Sequence, residues 1–254
     1  MALQYSRLLL MAVLLFFWRA TLAADITIFG DDNYPPVIYR DQSGQPNGLL
    51  VEVLQQYQQH TGQTLKLKLM PWKRAYKSAE SGMGGIIGLS KTQARLAIFD
   101  YSDPIHDDDI HIVVLQGHEF DFRSLADLRG RLIGTQLGAS FGTEVDAAIA
   151  TGQIQVDPDP VHANRLRKLL RGRIDAAFIG NGKQGFEKLL SSDAELHANR
   201  DRFVLLPTPL VRDPLYLGFA KTQHMGRFLA NFNQVLKLLK AQQSAKRQTA
   251  TGTH

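Results

Sequence analysis

Ile26-Thr27-Ile28-Phe29, the turn-rich stretch Gly30-Asp31-Asp32-Asn33-Tyr34-Pro35-Pro36, the segment Gly48 to His60, and Leu65-Lys66-Leu67-Lys68-Leu69-Met70 together decide the fold class. The first run is apolar and of strand length, and the second is built of residues that favour turns. Between Gly48 and His60, Leu49, Leu50, Val53, Leu54 and Tyr57 recur on one helical face. Leu65 to Met70 alternates leucine with lysine, the period of a strand. Strand, helix and strand in succession call for a parallel sheet with helices on its faces.

The alternation continues along the chain. Trp72 to Ser81 reads as a short helix ending near Gly82, Ile86 to Leu89 as a buried strand, and Ile110 to Leu115 as a strand that runs into the polar break Gln116-Gly117-His118. A second series follows: strand Leu132 to Thr135, helix Phe141 to Ala150, strand Gln153 to Val156, basic helix His162 to Arg171, and strand Ala176 to Ile179. Phe203 to Leu206 and Leu215 to Phe219 are strands. Met225, Phe228, Leu229, Phe232, Leu236 and Leu239 give the closing helix Met225 to Lys240 an apolar stripe. Ala241 to His254 has no apolar residue larger than alanine and is expected to be a disordered tail. Two α/β blocks separated by a polar break predict two lobes.

At the amino terminus Arg7 precedes Leu8 to Trp18, an uncharged run of 11 residues, and the small-residue segment Arg19-Ala20-Thr21-Leu22-Ala23. That is the anatomy of a secretory signal peptide, residues 1–23, cut after Ala23. The run falls short of the roughly 20 residues of a spanning helix. No cysteine is present, which excludes disulfides, thiolate metal sites, a cysteine nucleophile and lipid attachment at a cysteine. The composition, 44% hydrophobic and 21% charged, is that of a globular chain. The net charge of +5 comes from dispersed basic residues mixed with acids, a solvated surface rather than a nucleic-acid face.

Several blocks carry a resemblance. Asp31 to Pro36 with Gly44 and Gly48-Leu49-Leu50-Val51-Glu52-Val53 comes first. Gly88-Leu89-Ser90-Lys91-Thr92-Gln93-Ala94-Arg95 and Phe99-Asp100-Tyr101-Ser102-Asp103-Pro104 come next. Ser124 to Gly130, Gly134 to Ser140, and Leu170-Arg171-Gly172-Arg173-Ile174-Asp175-Ala176-Ala177 complete an ordered set from Asp25 to Lys240. The set resembles the family 3 solute-binding proteins, periplasmic receptors for polar amino acids and related solutes. The resemblance implies a two-lobe periplasmic-binding-protein-like fold of type II, with two hinge crossovers near Val113 to Gly117 and Leu206 to Tyr216. Lobe one then comprises residues 24–115 and 212–240, and lobe two residues 116–211. A ligand sits between them at the carboxyl ends of the strands and is held by hinge closure.

The resemblance also implies site residues. Arg95 grips a ligand carboxylate, a task its planar fork suits, although an arginine there is equally a surface or helix-capping group. Ser90 and the Gly88 amide donate to the same carboxylate, or simply form a turn. Tyr34 and Trp72 stack on the ligand or pack in the core. Asp31 reaches a ligand side chain or shapes a turn. Ser140 meets an anion or caps the following helix. At the position where amino-acid-binding relatives hold the α-ammonium on an aspartate, this chain has Gly180, followed by Asn181. Asn181 or Asp31 is the substitute, or the solute lacks an α-amino group.

No cofactor or metal is expected. The run His106-Asp107-Asp108-Asp109 lacks the spacing of a metal loop and reads as a solvated loop before a strand. The function expected is periplasmic binding of a small carboxylate-bearing solute, an amino acid or organic acid, by a monomer that delivers it to an inner-membrane ABC transporter permease. Two alternatives stand beside it: an enzyme on the same fold that dehydrates cyclic carboxylic acids, and a ligand-sensing partner of a membrane receptor.

Overall fold

The computed structural model describes residues 25–251, so the signal peptide expected at residues 1–23 lies outside the described residues. Among the described residues no helix is long and apolar enough to cross a membrane. Strands β1 (Ile26–Asp31), β2 (Asn33–Tyr34), β3 (Ile38–Arg40), β4 (Pro46–Asn47), β5 (Leu65–Met70), β6 (Gly85–Ser90) and β7 (Phe99–Tyr101) precede a long strand β8 (His106–Leu115). Strands β9 (Leu132–Gln136), β10 (Gln155–Asp159), β11 (Ala176–Ile179) and β12 (Phe203–Leu205) follow, then the second long strand β13 (Val211–Ala220).

Apart from the small sheet β2-β3-β4, the strands form one curled path, β10-β9-β11-β8-β13-β6-β1-β5, with β12 on β8 and β7 on β13. The expected parallel pairs are present: β1 runs parallel to β5 and β6, and β9 parallel to β10 and β11. The leucines of β5 are its less exposed residues and both lysines are exposed, as the alternation requires. Helix α1 (Leu49–Thr61) buries Leu50, Val51, Leu54 and Tyr57. It stops at Gly62, whose left-handed φ of 70° lets its N–H reach back to the Gln58 carbonyl.

The two halves of the path have separate cores. Ile28, Leu50, Leu54, Ile87, Leu217 and Phe232 belong to a cluster on the first half, with Phe29, Trp72, Ile86 and Phe99 on the other face of that sheet. Ile112, Val114, Ile133 and Phe178 belong to one cluster on the second half, and Val113, Leu166, Ala177 and Leu189 to another. β8 and β13 join them. Residues His106 to Ile110 pair antiparallel with Val211 to Leu215. The rest of β8 pairs with β11 and β12, and the rest of β13 with β6 and β7.

This pairing corrects the first crossover expected from the sequence. Ile112, Val113 and Val114 already alternate between the two cores of the second half, so the chain crosses along His106–Ile110, ahead of Val113–Gly117. Residues 111–115 therefore leave lobe one as it was drawn. The polar break at Gln116-Gly117-His118 is a turn beyond the crossover.

The expected disordered tail is also corrected. The last helix, Gly226–Thr251, continues past Lys240 through residues 241–251. That segment contains neither glycine nor proline before Gly252 and is rich in Ala, Gln, Lys and Arg, residues that favour helix without needing an apolar partner. Upstream, Leu229, Phe232 and Leu236 are buried against the first core, and Met225, Phe228 and Leu239 pack beside them, as the stripe predicts.

Phe232 is 1% exposed and touches the rings of Tyr57 and Phe228. Phe232→Ala should therefore cost about 3–5 kcal/mol in denaturant unfolding. Lys237→Ala, on the exposed face of the same helix, should stay within about 0.5 kcal/mol. Equal effects of the two changes would contradict the burial of this stripe.

Candidate functional site

A cleft of about 600 Å³, partly open to solvent, lies between the two halves. Its wall draws on the first half through Asp31, Tyr34, Trp72, Gly88 and Ser90, on the crossover strands through Asp108, Ile110 and Asp213, and on the second half through Gln136, Ser140, His162, Arg165 and Gly180. Six of the eight expected residues line it: Asp31, Tyr34, Trp72, Gly88, Ser90 and Ser140. The ends of β1, β6, β9 and β11 deliver them or their neighbours, which is where a parallel sheet presents ligands.

Arg95 and Asn181 stand outside this lining. Arg95 is buried behind Ser90, donating to the Ser90 carbonyl at 3.3 Å, with its guanidinium 5.1 Å from the centre of the Tyr76 ring. Asn181 takes a left-handed φ of 59° ahead of the helix Gly182–Ser191. Its Oδ1 lies 2.7 Å from His106 Nε2. Ser140 is not a helix cap: the helix starts at Thr143 behind Gly142, and the Ser140 hydroxyl donates to the Asp146 carboxylate.

Several contacts cross the cleft. The Trp72 indole donates to the Gly138 carbonyl at 3.0 Å. The Tyr34 hydroxyl donates to Asp108 Oδ2 at 2.6 Å, and the Tyr34 ring stacks on His162 with centroids 4.8 Å apart. Tyr34 also fills the space in front of Gly180, where a Cβ would lie 1.8 Å from its hydroxyl oxygen and 2.9 Å from Asp108 Oδ1. A side chain at Gly180 is therefore excluded in this arrangement.

Asp108, Asp213, His162, Arg165 and Gln136 are the residues that the sequence reading missed. Asp108 belongs to the run taken for a solvated loop. That run is instead the start of β8, with Asp108 4% exposed and its carboxylate also accepting from the Asn181 N–H. His162 and Arg165 carried a legible signal, since they precede Leu166 and Leu169 at helical spacing and share their buried face. Arg165, 2% exposed, donates to the Phe178 carbonyl at 2.6 Å and to His162 Nδ1. Because arginine can only donate, His162 Nδ1 accepts and its proton sits on Nε2, which faces Asp31 Oδ2 at 3.8 Å.

The charges are poorly matched. Burial raises Asp108. Burial raises Asp213 from 3.8 to about 7, with the Asp108 charge adding to it and the Ser90 hydroxyl, 2.5 Å from Asp213 Oδ2, opposing it. Burial and the Arg165 charge lower His162 to about 4, so it is neutral at pH 7. Gln136 Oε1, His162 Nε2 and Arg165 Nε have no hydrogen-bond partner among the described residues. A buried polar atom left so typically costs about 1–3 kcal/mol, and a solute with both donors and acceptors would satisfy them.

These shifts predict opposing pH effects. Between about pH 4 and 7 the folded chain keeps on Asp213 a proton that the unfolded chain has released, so this group makes stability fall as pH rises. His162 acts the other way: below about pH 6.5 the unfolded chain binds a proton that the folded chain refuses until about pH 4. Subtracting profiles separates the two. Without solute, the melting temperature of Asp213→Asn relative to wild type should climb from about pH 4 to about pH 7. A difference constant across that window would show that Asp213 does not titrate there.

Residues 26–250 match the bacterial extracellular solute-binding proteins, family 3. The L-cystine-binding protein TcyJ of Escherichia coli (strain K12) is 26% identical over 152 residues, 59% of this chain and 56% of the relative. The chain thus matches little more than half the length of its curated relatives. Among solved structures, a histidine kinase sensor domain with similarity to periplasmic binding proteins superposes with a TM-score of 0.74 at 22% identity, covering 90% of this chain and 95% of that one. The substrate binding protein of an amino acid ABC transporter gives 0.66 at 20%, covering 87% and 96%. These likenesses are to the fold, the two-lobe architecture of periplasmic binding proteins. With the profile spanning nearly all of the described residues, the chain belongs to the bacterial extracellular solute-binding proteins, family 3.

Proposed function

We propose that this protein binds a small polar solute that carries a carboxylate, of the amino-acid or organic-acid class, between its two lobes. In this reading it is exported to the periplasm, loses residues 1–23 after Ala23, and delivers the solute as a monomer to an inner-membrane ABC transporter. The observation that carries the reading is the convergence of charged side chains from both lobes and both crossover strands on one cleft. Polar solutes need such partners, and only a closed form supplies them from both sides at once. The similar L-cystine-binding protein and the substrate binding protein of an amino acid ABC transporter agree with this class. The role is binding and not catalysis.

In this proposal Asp31, Tyr34, Trp72, Gly88, Ser90 and Ser140 contact the solute from the cleft wall, and Asn181 stands behind them. Arg95 holds the carboxylate. Of the two buried arginines near the cleft, Arg165 is committed to Phe178 and His162. Among the described residues the Arg95 guanidinium engages only the Ser90 carbonyl and the Tyr76 side chain. A guanidinium has five N–H donors, so Arg95 retains capacity for a two-pronged bond to a carboxylate beside Ser90.

Two measurements test this. A thermal-shift screen of the purified protein against amino acids and organic acids should find a stabilising solute, since one present at about 100 times its Kd adds roughly 2.7 kcal/mol. A complete absence of stabilising solutes would overturn the reading. With a solute in hand, Arg95→Ala should weaken binding by roughly 30-fold to several thousand-fold in calorimetric titration. Arg95→Lys should recover only part of that, because an ammonium lacks the planar fork. Wild-type affinity in Arg95→Ala would remove Arg95 from the site.

A further inference from the structure

We propose that Asp108 and Asp213, directly opposite each other on the two crossover strands, form the subsite for a cationic group of the solute, an ammonium set beside its carboxylate. The inference rests on the solute-binding reading above and narrows it: the solute is an amino acid and not a simple organic acid. Asp108 and Asp213 are partners in the antiparallel register of β8 and β13, and both line the cleft while being 4% and 8% exposed. Like charges directly opposite on neighbouring strands destabilise a sheet, and burial adds to that cost. Neither carboxylate forms an ion pair among the described residues. Above about pH 7, where Asp213 releases its proton, the pair is an anionic group with no ion-pair partner among the described residues.

A second observation points the same way. The Gln136 side chain lines the same cleft, 8% exposed, its Nε2 engaged with the Pro160 carbonyl. Its Oε1 has no partner among the described residues. A free buried amide oxygen accepts hydrogen bonds only, so together with two carboxylates it favours a group rich in N–H donors. Geometry locates that group. Ser90 bonds Asp213 through its hydroxyl and Arg95 through its carbonyl, so the acid pair lies next to the arginine assigned to the carboxylate. Adjacent cationic and anionic sites match an ammonium and a carboxylate on one carbon. Gly180 has no room for a side chain that would do this work, because Tyr34 and Asp108 occupy the space. The crossover position also links recognition to closure: a cation neutralising Asp108 and Asp213 removes repulsion between the two strands about which the lobes move.

The test uses matched probes: the standard L-amino acids and L-cystine, each beside the carboxylic acid with the same skeleton but no ammonium. Calorimetric titration of the wild-type protein should show an amino acid binding at least about 30-fold more tightly than its deaminated partner. Asp213→Asn and Asp108→Asn should each weaken the amino acid by at least about 30-fold, and should bind the deaminated acid as well as wild type or better. The wild-type comparison needs no variant, and melting curves of solute-free Asp213→Asn, expected to equal or exceed wild type at pH 7.5, separate lost binding from lost folding. If a probe binds but its deaminated partner binds equally, or if both Asn variants keep wild-type affinity, the acid pair is not the cation subsite while solute binding stands. If no probe of either kind binds, the solute-binding reading itself fails, and this inference with it.

Discussion

The antiparallel pairing of His106–Ile110 with Val211–Leu215 is the constraint on which the rest of the molecule depends. Each half of the strand path has its own cores. What makes them one molecule is that two ten-residue strands each donate one end to either sheet. The two halves are joined through these few paired residues.

The same pairing decides which side chains reach the cleft. Side chains alternate along a strand, so placing Ile110 against the second core and into the cleft wall also turns Asp108 inward and Asp107 and Asp109 away. The register then puts Asp213 opposite Asp108. One residue of slip would set Asp213 opposite Asp107 or Asp109 instead, and would turn the slipped strand's inward side chains outward. The acids of the cleft are therefore placed by the register of β8 against β13.

Much of the architecture was legible because it rests on local periodicity. The leucine–lysine alternation of Leu65–Met70 and the stripe from Met225 to Leu239 reach the structure as read, while the helix read between Gly48 and His60 buries Leu50, Leu54 and Tyr57 as expected but Val51 in place of Leu49 and Val53. The errors share a cause. Ile110–Leu115 is correctly a strand, but which lobe it serves depends on its partners β11 and β12, far away in sequence. Residues 241–251 have no apolar side chain larger than alanine, a composition that suggests disorder yet also favours helix. At the site, Asp31, Tyr34, Trp72, Gly88, Ser90 and Ser140 were found because blocks around them resemble a family, whereas Asp108 sits in a run whose polarity suggested water. Polarity tells that a side chain needs a partner; only tertiary structure tells whether that partner is solvent, protein or solute.

The electrostatics of the cleft follow from this. Asp108 is already bonded to Tyr34 and to the Asn181 N–H, which keeps it in place but leaves its charge uncompensated. Asp213 has the Ser90 hydroxyl and the charge of Arg95, not enough against burial to hold its pKa in the ordinary carboxylate range. His162 cannot supply a cation, because burial and the charge of Arg165 keep it neutral, and Arg165 is turned toward Phe178. A protein selected for stability alone would replace such a set with apolar residues of the same volume, often at no cost. Among the described residues this arrangement lies between the lobes and on the strands that join them.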